Sequence, residues 1–451
     1  MYTPQPVSSP VPAVALTLLA AAKDRKLVIC LGAGVSVARD ANLPSGTRLG
    51  ELLDERLKNR LQGYISPADV SNLIDVADAA VESVGGLEAL QNEILELAEF
   101  RRAIPNYGHR ALGLLLAEGA ITALSWNWDS CIERSLPGEL LDVARTKEEM
   151  ANLSLPQMAK VHGCATMKST LLITSEQLAT PPVWTETAFS DRIRSSVMVF
   201  IGIGDVADYA RRRIEQLLAE FGVLDVRVVS RSIRTNWETS VWAKFMPDLV
   251  DERRIQSDAD VFLDELARAW ANELVVRLQA DNQGLRNDVQ PGVKRVIEAI
   301  SRLSSVELMR WCRVAAVKPE VGESAVRAAP TGDVVLAAGV LAATTNGEVT
   351  VPRPACCCIG DDTFELMVLR DRALAQDVQE EARRRAQELA SNNQLSEGSI
   401  RFLVGGTVIG RLDGPVMDVL GGDSDPDDVV DGPWASRITY EDAAEVLRRA
   451  A

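Results

Sequence analysis

The chain holds only two histidines, His109 and His162, and both stand beside residues that chemistry can use. His162 ends an apolar run, Gln157-Met158-Ala159-Lys160-Val161, and is followed by Gly163. An imidazole at the C-end of a strand, with a glycine after it to admit substrate, can take up a proton near neutral pH. The alternative is a core histidine bonded to backbone. Asn127 and Asp129 stand two apart after a second apolar run, residues 121–125. In extended backbone, residues two apart face the same side. A neutral amide beside a carboxylate suits ribose hydroxyls and a water. The alternative is a polar helix start, capped by Asp129 or Ser130. Trp126 and Trp128 point the other way, into packing or as a pocket wall. His109 reads as structural, because Pro105 and Gly108 suggest a fixed turn ahead of a short apolar helix.

A third element is glycine-based. The apolar run of residues 27–31 leads straight into Gly32-Ala33-Gly34-Val35-Ser36. Glycine at such a junction lets a ligand's phosphates approach the backbone, and a following helix offers them free N–H groups. Val37 stands where a dinucleotide fingerprint has its third glycine, so a tight strand–helix turn without a ligand fits as well. A further apolar run, residues 196–202, opens into Gly202-x-Gly204-x-x-Asp208.

The elements that must position these groups alternate. Residues 12–26 read as a helix and 27–31 as a strand. Residues 48–104 read as a helical insertion, with Ser66-Pro67-Ala68-Asp69 as a helix start. Strands follow at 121–125, 157–161, 196–202 and 226–230, and helices at 111–118, from about 204 to 221, and at 258–278. Such alternation predicts an α/β fold with a doubly wound parallel, Rossmann-like sheet, its polar loops gathered at one edge. The polar stretch 280–292 is a candidate boundary between a domain at 1–278 and an α+β interaction or oligomerisation domain at 279–451. In the latter we expect a capping box at Ser304 and Glu307, and strands over 333–351 turning at Asn346-Gly347. A charged helix over 372–390, a strand over 400–409 and an acidic loop at 423–431 complete it.

Composition narrows the classes. At 451 residues, two or three domains are expected. The net charge of −16 argues against a general nucleic-acid-binding surface. No apolar run approaches the roughly 18 residues needed to span a bilayer. Residues 12–22 have the length of a signal-peptide core, but no Lys or Arg precedes them, so a cytoplasmic address is expected. The seven cysteines include no C-x-x-C pair, so no four-cysteine zinc module is expected and no metal is assigned. Cys356-Cys357-Cys358 reads as buried strand, with soft-metal binding as the alternative.

Taken as a set, several of these groups resemble sirtuin-like proteins over about residues 20–275. They are Gly32-Ala33-Gly34-Val35-Ser36, Pro105-Asn106-x-x-His109, Asn127-x-Asp129 with Ile132-Glu133, Val161-His162-Gly163 and Gly202-x-Gly204-x-x-Asp208. The set resembles the bacterial sirtuin-like NAD hydrolases of anti-phage defence more than the protein deacylases. The deacylase zinc module is missing, and Pro44-Ser45-Gly46-Thr47-Arg48 holds no carboxylate where deacylases carry one. Gly204 stands where the bacterial branch often shows serine.

The resemblance implies NAD as the ligand and substrate. Asn127, Asp129 and His162 would form the reactive set. Gly32, Ala33, Gly34 and Ser36 would cradle the pyrophosphate through N–H groups and a hydroxyl, with Gly202, Gly204 and Asp208 completing the cofactor site. It implies an NAD-depleting, oligomeric effector held in check by assembly with a partner, for which a hexameric DNA-translocase-type ATPase is a candidate. The alternatives are NAD-dependent deacylation or ADP-ribosyl transfer, and a non-catalytic sensor of NAD or ADP-ribose.

Overall fold

The computed structural model describes residues 11–136, 140–152, 157–185, 187–188, 196–203, 225–285, 287–317, 330–344, 347–369, 401–405 and 408–409, with a few positions between them. The chain divides into two compact units, Met1–Ala269 and Trp270–Ala451, and the division falls within the helix Ala259–Gln283.

The first unit is built on a seven-stranded sheet. Strand β1 (Leu27–Leu31) is buried at every residue, as an all-apolar strand covered on both faces must be. From it the chain passes to β2 (Thr122–Ser125), to the outer β3 (Val143–Ala144), and back between them to β4 (Met158–Lys160). It then crosses to the other side of β1 for β5 (Val197–Ile201), β6 (Asp225–Ser230) and β7 (Arg254–Gln256). Every pairing is parallel. The winding reverses at β1, between β2 and β5. In open parallel sheets this switch point, just beyond the strand C-ends, is where ligands lie.

Helix α1 (Val11–Lys23) precedes β1, and α2 (Gly46–Arg60), α3 (Leu73–Ala80) and α4 (Leu87–Leu97) lie between β1 and β2. Leu53, Leu57, Val76, Leu90 and Ile94 give these three helices a core of their own, which Trp128 joins from the loop after β2. The helix start expected at Ser66 falls later. Asp69 turns back to accept the Ser71 N–H at 2.9 Å, which makes it a turn residue. Asn72 then caps α3, accepting the Ile74 N–H at 3.1 Å.

The loop after β1 corrects a second expectation. A three-residue 3-10 turn, Ala33–Val35, follows the strand, where a helix had been expected to offer its N-terminus to phosphate. The glycines serve closure of the switch point. Gly32 N–H donates to Ile201 O at 3.0 Å and Gly34 N–H to Gly202 O at 2.7 Å. A Cβ on Gly34 would lie 2.7 Å from Gly202 Cα. Gly202 itself adopts φ +66°, and a Cβ there would lie 2.6 Å from Val35 N. Backbone meets backbone, and side chains have no room.

The second unit combines helices with a mixed sheet. Strand β10 (Cys356–Ile359) pairs antiparallel with β9 (Val349–Thr350) and with β11 (Asp362–Leu369), while β8 (Ala316–Val317) and β13 (Arg401–Gly405) run parallel to β11. Cys356 and Cys357 are buried in β10. The capping box is formed, with Glu307 N–H on Ser304 Oγ at 3.3 Å and Ser304 N–H on Glu307 Oε2 at 3.0 Å. Most of the stretch expected as strands over 333–351 is the helix Thr331–Thr344. Its unbroken apolar run carries no period by which to tell strand from helix. Gly339 decides the matter by letting this helix approach Gly292 of the helix Gln290–Ile300 at backbone distance. The hairpin consequently joins β9 to β10, after residue 347. Of residues 372–390, Ala373–Leu374 is strand β12, paired with β14 (Val408–Ile409), and 381, 384 and 385 are helical. The remainder of that stretch, the acidic loop at 423–431, and the helix expected from about 204 to 221 lie outside the described residues, except that 215, 216, 219 and 220 are helical. Among the described residues no helix is long and apolar enough to cross a membrane.

A methyl group at the switch point has nowhere to go. Gly202→Ala is expected to destabilise the protein by about 2–3 kcal/mol, combining a left-handed φ with a backbone clash. Gly46→Ala, where a Cβ meets nothing within 4 Å, is expected to be neutral or mildly stabilising at the start of α2. Paired urea melts check both.

Candidate functional site

Four polar side chains meet beyond the C-ends of β1 and β2: Ser36, His109, Asn127 and Asp129, each less than a tenth exposed. Helix α5 (Tyr107–Ala117) delivers the histidine. Its N-cap is Asn106, whose side-chain oxygen accepts the His109 N–H at 3.0 Å. The Asn106 N–H donates in return to His109 Nδ1 at 3.3 Å, which completes a capping box with histidine in the usual glutamate place. Asn106 Nδ2 also donates to Val35 O at 2.8 Å, tying the helix start to the glycine loop. The fixed turn expected of Pro105-Asn106-x-x-His109 is therefore present, and the ring's other nitrogen enters the site.

The backbone donor on Nδ1 sets the tautomer. The proton of the neutral ring sits on Nε2, which donates to Ser36 Oγ at 3.1 Å. Ser36 gives its one hydroxyl proton to Asp129 Oδ2 at 2.8 Å. Asn127 Nδ2 is a second donor to Ser36 Oγ, at 3.3 Å. The serine oxygen thus has two donors in and one proton out. The three residue types match a hydrolase triad, but the order does not. There the carboxylate orients histidine and histidine takes the serine proton. Here histidine donates to serine and serine to the carboxylate, so the imidazole does not activate Ser36 as a nucleophile.

The same arrangement fixes the Asn127 amide. With the Ser36 proton committed to Asp129, the NH2 of Asn127 must face the serine, and its carbonyl oxygen faces away. That oxygen, Asn127 Oδ1, is buried and has no hydrogen-bond partner among the described residues. Buried polar atoms are normally satisfied, so an orphan acceptor at a strand C-end marks where a ligand hydroxyl or a water belongs.

Asp129 is held ionised. Its Oδ1 accepts the Cys131 N–H at 3.0 Å, at the start of α6 (Cys131–Arg134). Burial works against the charge, but Lys160 and the donors on both oxygens hold the carboxyl below the usual aspartate range. Desolvation pushes the His109 pKa down to about 4 and that of His162 to about 3. Both rings are therefore neutral at physiological pH.

His162 lies one strand over. Ser125 and Lys160 are register partners on β2 and β4, so Asn127 and His162 each follow two residues beyond a paired position. The His162 ring stands edge-on to Trp126, with centroids 6.2 Å apart, and its carbonyl accepts the indole N–H of Trp128 at 3.0 Å. The two tryptophans part company, Trp126 packing on the sheet core with Phe200 and Trp242, and Trp128 on the α2–α4 core. Burial holds the ring well below the near-neutral titration expected of it.

The phosphate cradle is narrowed as well. The N–H groups of Gly32, Gly34 and Ser36 all donate within the protein, to Ile201, Gly202 and Ala33, and the Ser36 hydroxyl is spent on Asp129. Ala33 is exposed at the loop tip. Gly202 is the closure partner of Gly34, while Gly204 and Asp208 lie outside the described residues. Two members of the cluster were not anticipated: His109 as a donor to Ser36, and Lys160. The signal for Lys160 was a lysine within the apolar run Met158-Ala159-Lys160-Val161.

His109, Asp129 and Cys131 bring one ligand-type atom each within 4.8 Å of one another. Each is engaged, however: Nε2 on Ser36, the carboxylate on Ser36 and Cys131 N, and Cys131 Sγ on Ala103 O at 3.6 Å. Burial and the neighbouring carboxylate also push the thiol pKa up, so sulfur keeps its proton. The donor set suits a hydrogen-bond network rather than a metal. No protein-family model matches the chain, and no curated protein does either.

A neutral buried histidine makes stability depend on pH. The unfolded His162 takes a proton below about 6.5 and the folded one only near about 3, so its contribution falls as pH drops through that window. Asp260, raised by burial and by Asp258 and Asp40 to about 6, acts in the opposite sense, so a difference measurement is needed. The stability of wild type relative to His162→Asn is expected to fall by about 1.4 kcal/mol per pH unit between about pH 6 and 4.5. Urea unfolding of the pair over this range checks it.

Proposed function

We propose that the first unit is an NAD glycohydrolase, releasing nicotinamide and ADP-ribose. The observation that carries this is the orphan Asn127 Oδ1, fixed beside an ionised Asp129 at the switch point of a parallel sheet. The chemistry asks for little else. The nicotinamide–ribose bond joins a cationic pyridinium to C1′, so the leaving group departs neutral and needs no acid. As it leaves, positive charge develops on the ribose. The Asp129 carboxylate offsets that charge in a site shielded from water. Asn127 Oδ1 accepts from a ribose hydroxyl or from the attacking water. Water oxygen bonds to C1′ as the bond to nicotinamide breaks, and the proton it sheds passes to His162, the acceptor the resemblance assigns, whose basicity burial weakens.

The sirtuin-like resemblance supports the same substrate through Asn127-x-Asp129 and His162-Gly163. Within it, the protein is an NAD-depleting defence effector in the cytoplasm, a homo-oligomer gated by a partner such as a hexameric DNA-translocase-type ATPase. A second reading, a non-catalytic sensor of NAD or ADP-ribose, draws on two observations. Burial strips both histidines of basicity, and Ser36 is saturated.

Purified protein is to be incubated with NAD, with and without acylated peptide, and the products separated by chromatography. Nicotinamide and ADP-ribose are expected without peptide. Asn127→Ala is expected to lower turnover at least about 100-fold while leaving the melting temperature near wild type. Nicotinamide release that requires peptide would establish a transferase instead. Calorimetric binding without turnover in every assembly state would establish the sensor. With both imidazoles neutral, the rate is expected to be level across about pH 6–8, without the inflection an ordinary histidine gives near about 6.5.

A further inference from the structure

Lys160 is 1% exposed, which for lysine demands a reason. It is the last residue of β4, paired in register with Ser125 of β2. Its neighbours Ala159 and Val161 face the core that holds Phe200 and Trp242. Lys160 therefore faces the opposite side of the sheet. There its ammonium donates to the main-chain oxygen of Asp129. The Glu133 carboxylate, on α6, lies 3.6 Å from the ammonium and 3.6 Å from the Arg145 guanidinium, which follows β3. Among the described residues, neither Glu133 oxygen has a hydrogen-bond partner. Apolar residues in place of both Lys160 and Glu133 would fill this space without the desolvation that two buried charges suffer, and paired replacements of this kind are commonly neutral or stabilising. The fold alone does not ask for a lysine here.

We propose that Lys160 is a positioning residue for the Asn127–Asp129 pair: its buried ammonium clamps the Asp129 carbonyl, fixes the turn after β2, and keeps the carboxylate charged. The geometry gives it two handles on one residue. The hydrogen bond holds the Asp129 backbone, and so the direction of its side chain toward Ser36. The charge acts through space on the carboxylate. The other groups facing Asp129 are Ser36, His109 from α5, held neutral, and the Cys131 N–H and thiol, while Glu133, Cys164 and Arg145 act on the Lys160 ammonium. Arg145 is paired with Glu133 and Glu149. Lys160 is the cation that contacts Asp129 directly. In turn Glu133 and Asp129 hold the ammonium above the ordinary lysine range against the opposing effect of burial.

The positional claim stands on the free protein. Its catalytic consequence rests on the NAD reading above, and the experiment separates the two. Carboxyl-carbon NMR of aspartate-labelled protein, with the Asp129 signal assigned from Asp129→Asn, is to be recorded against pH for wild type, K160M and K160R. In K160M the Asp129 midpoint is expected to rise by about one unit or more, and in K160R to stay near wild type. Because K160M leaves Glu133 unpaired, K160M/E133Q is the companion variant that restores charge balance. In NAD turnover, K160M/E133Q is expected to lower kcat at least about tenfold with KM little changed, and to move the acid limb of the rate profile upward. A residue that merely stabilised the fold would lower the melting temperature and leave that limb in place. An unshifted Asp129 midpoint in folded K160M or K160M/E133Q overturns the proposal, as does failure of both of these to fold. If wild type shows no turnover, the NAD reading falls and the NMR result still decides the role of Lys160.

Discussion

One hydroxyl group carries this site. Ser36 Oγ accepts hydrogen bonds from His109 and Asn127 and donates its own to Asp129, so a single atom fixes three side chains, one from α5 and two from the loop after β2. The direction of that chain is set farther off, by the backbone N–H of Asn106 on His109 Nδ1. A capping interaction that any helix start could make thus decides which ring nitrogen carries the proton. The amide of Asn127 then has one permitted orientation, and its oxygen is left without a partner. The unpaired acceptor is a consequence of the network, and it gives the site a use.

The sheet supplies the stage on which these loops meet. The winding reverses at β1, so the loops after β1, β2 and β5 come together at one edge. The Gly34–Gly202 contact brings two of them to backbone distance. Asn106 Nδ2 on Val35 O attaches the start of α5 to the same point. Glycine is therefore required here for close backbone approach, with the N–H groups spent inside the protein. In the proposed reading, recognition of a ligand falls to side chains, above all to Asn127 and Asp129.

Much of this was legible in the residues. The strands at β1, β2, β4, β5 and β6 follow from short apolar runs ending in polar residues, and parallel winding follows from their alternation with helices. β3 and β7 were not legible, because two or three residues carry no period. Thr331–Thr344 was mistaken for strand because an apolar run suits either element, and only the Gly292–Gly339 approach settles it. In the site, the pairing of Asn127 with Asp129 on one side of extended backbone was readable from their spacing. The place of His109 was half readable: N-x-x-H announces the cap, but the reach of Nε2 to Ser36 depends on a contact 73 residues apart in sequence. The loss of basicity at His162 comes from tertiary burial, which spacing does not encode.

The account depends on the imidazole of His109 donating to serine through Nε2. A long-range proton–nitrogen correlation spectrum of the histidine rings at neutral pH reads this directly. The expected spectrum shows His109 neutral, with its proton on Nε2 and a bare Nδ1. A proton on Nδ1, or a doubly protonated His109 ring at pH 7, would contradict the network and the orphan acceptor that follows from it.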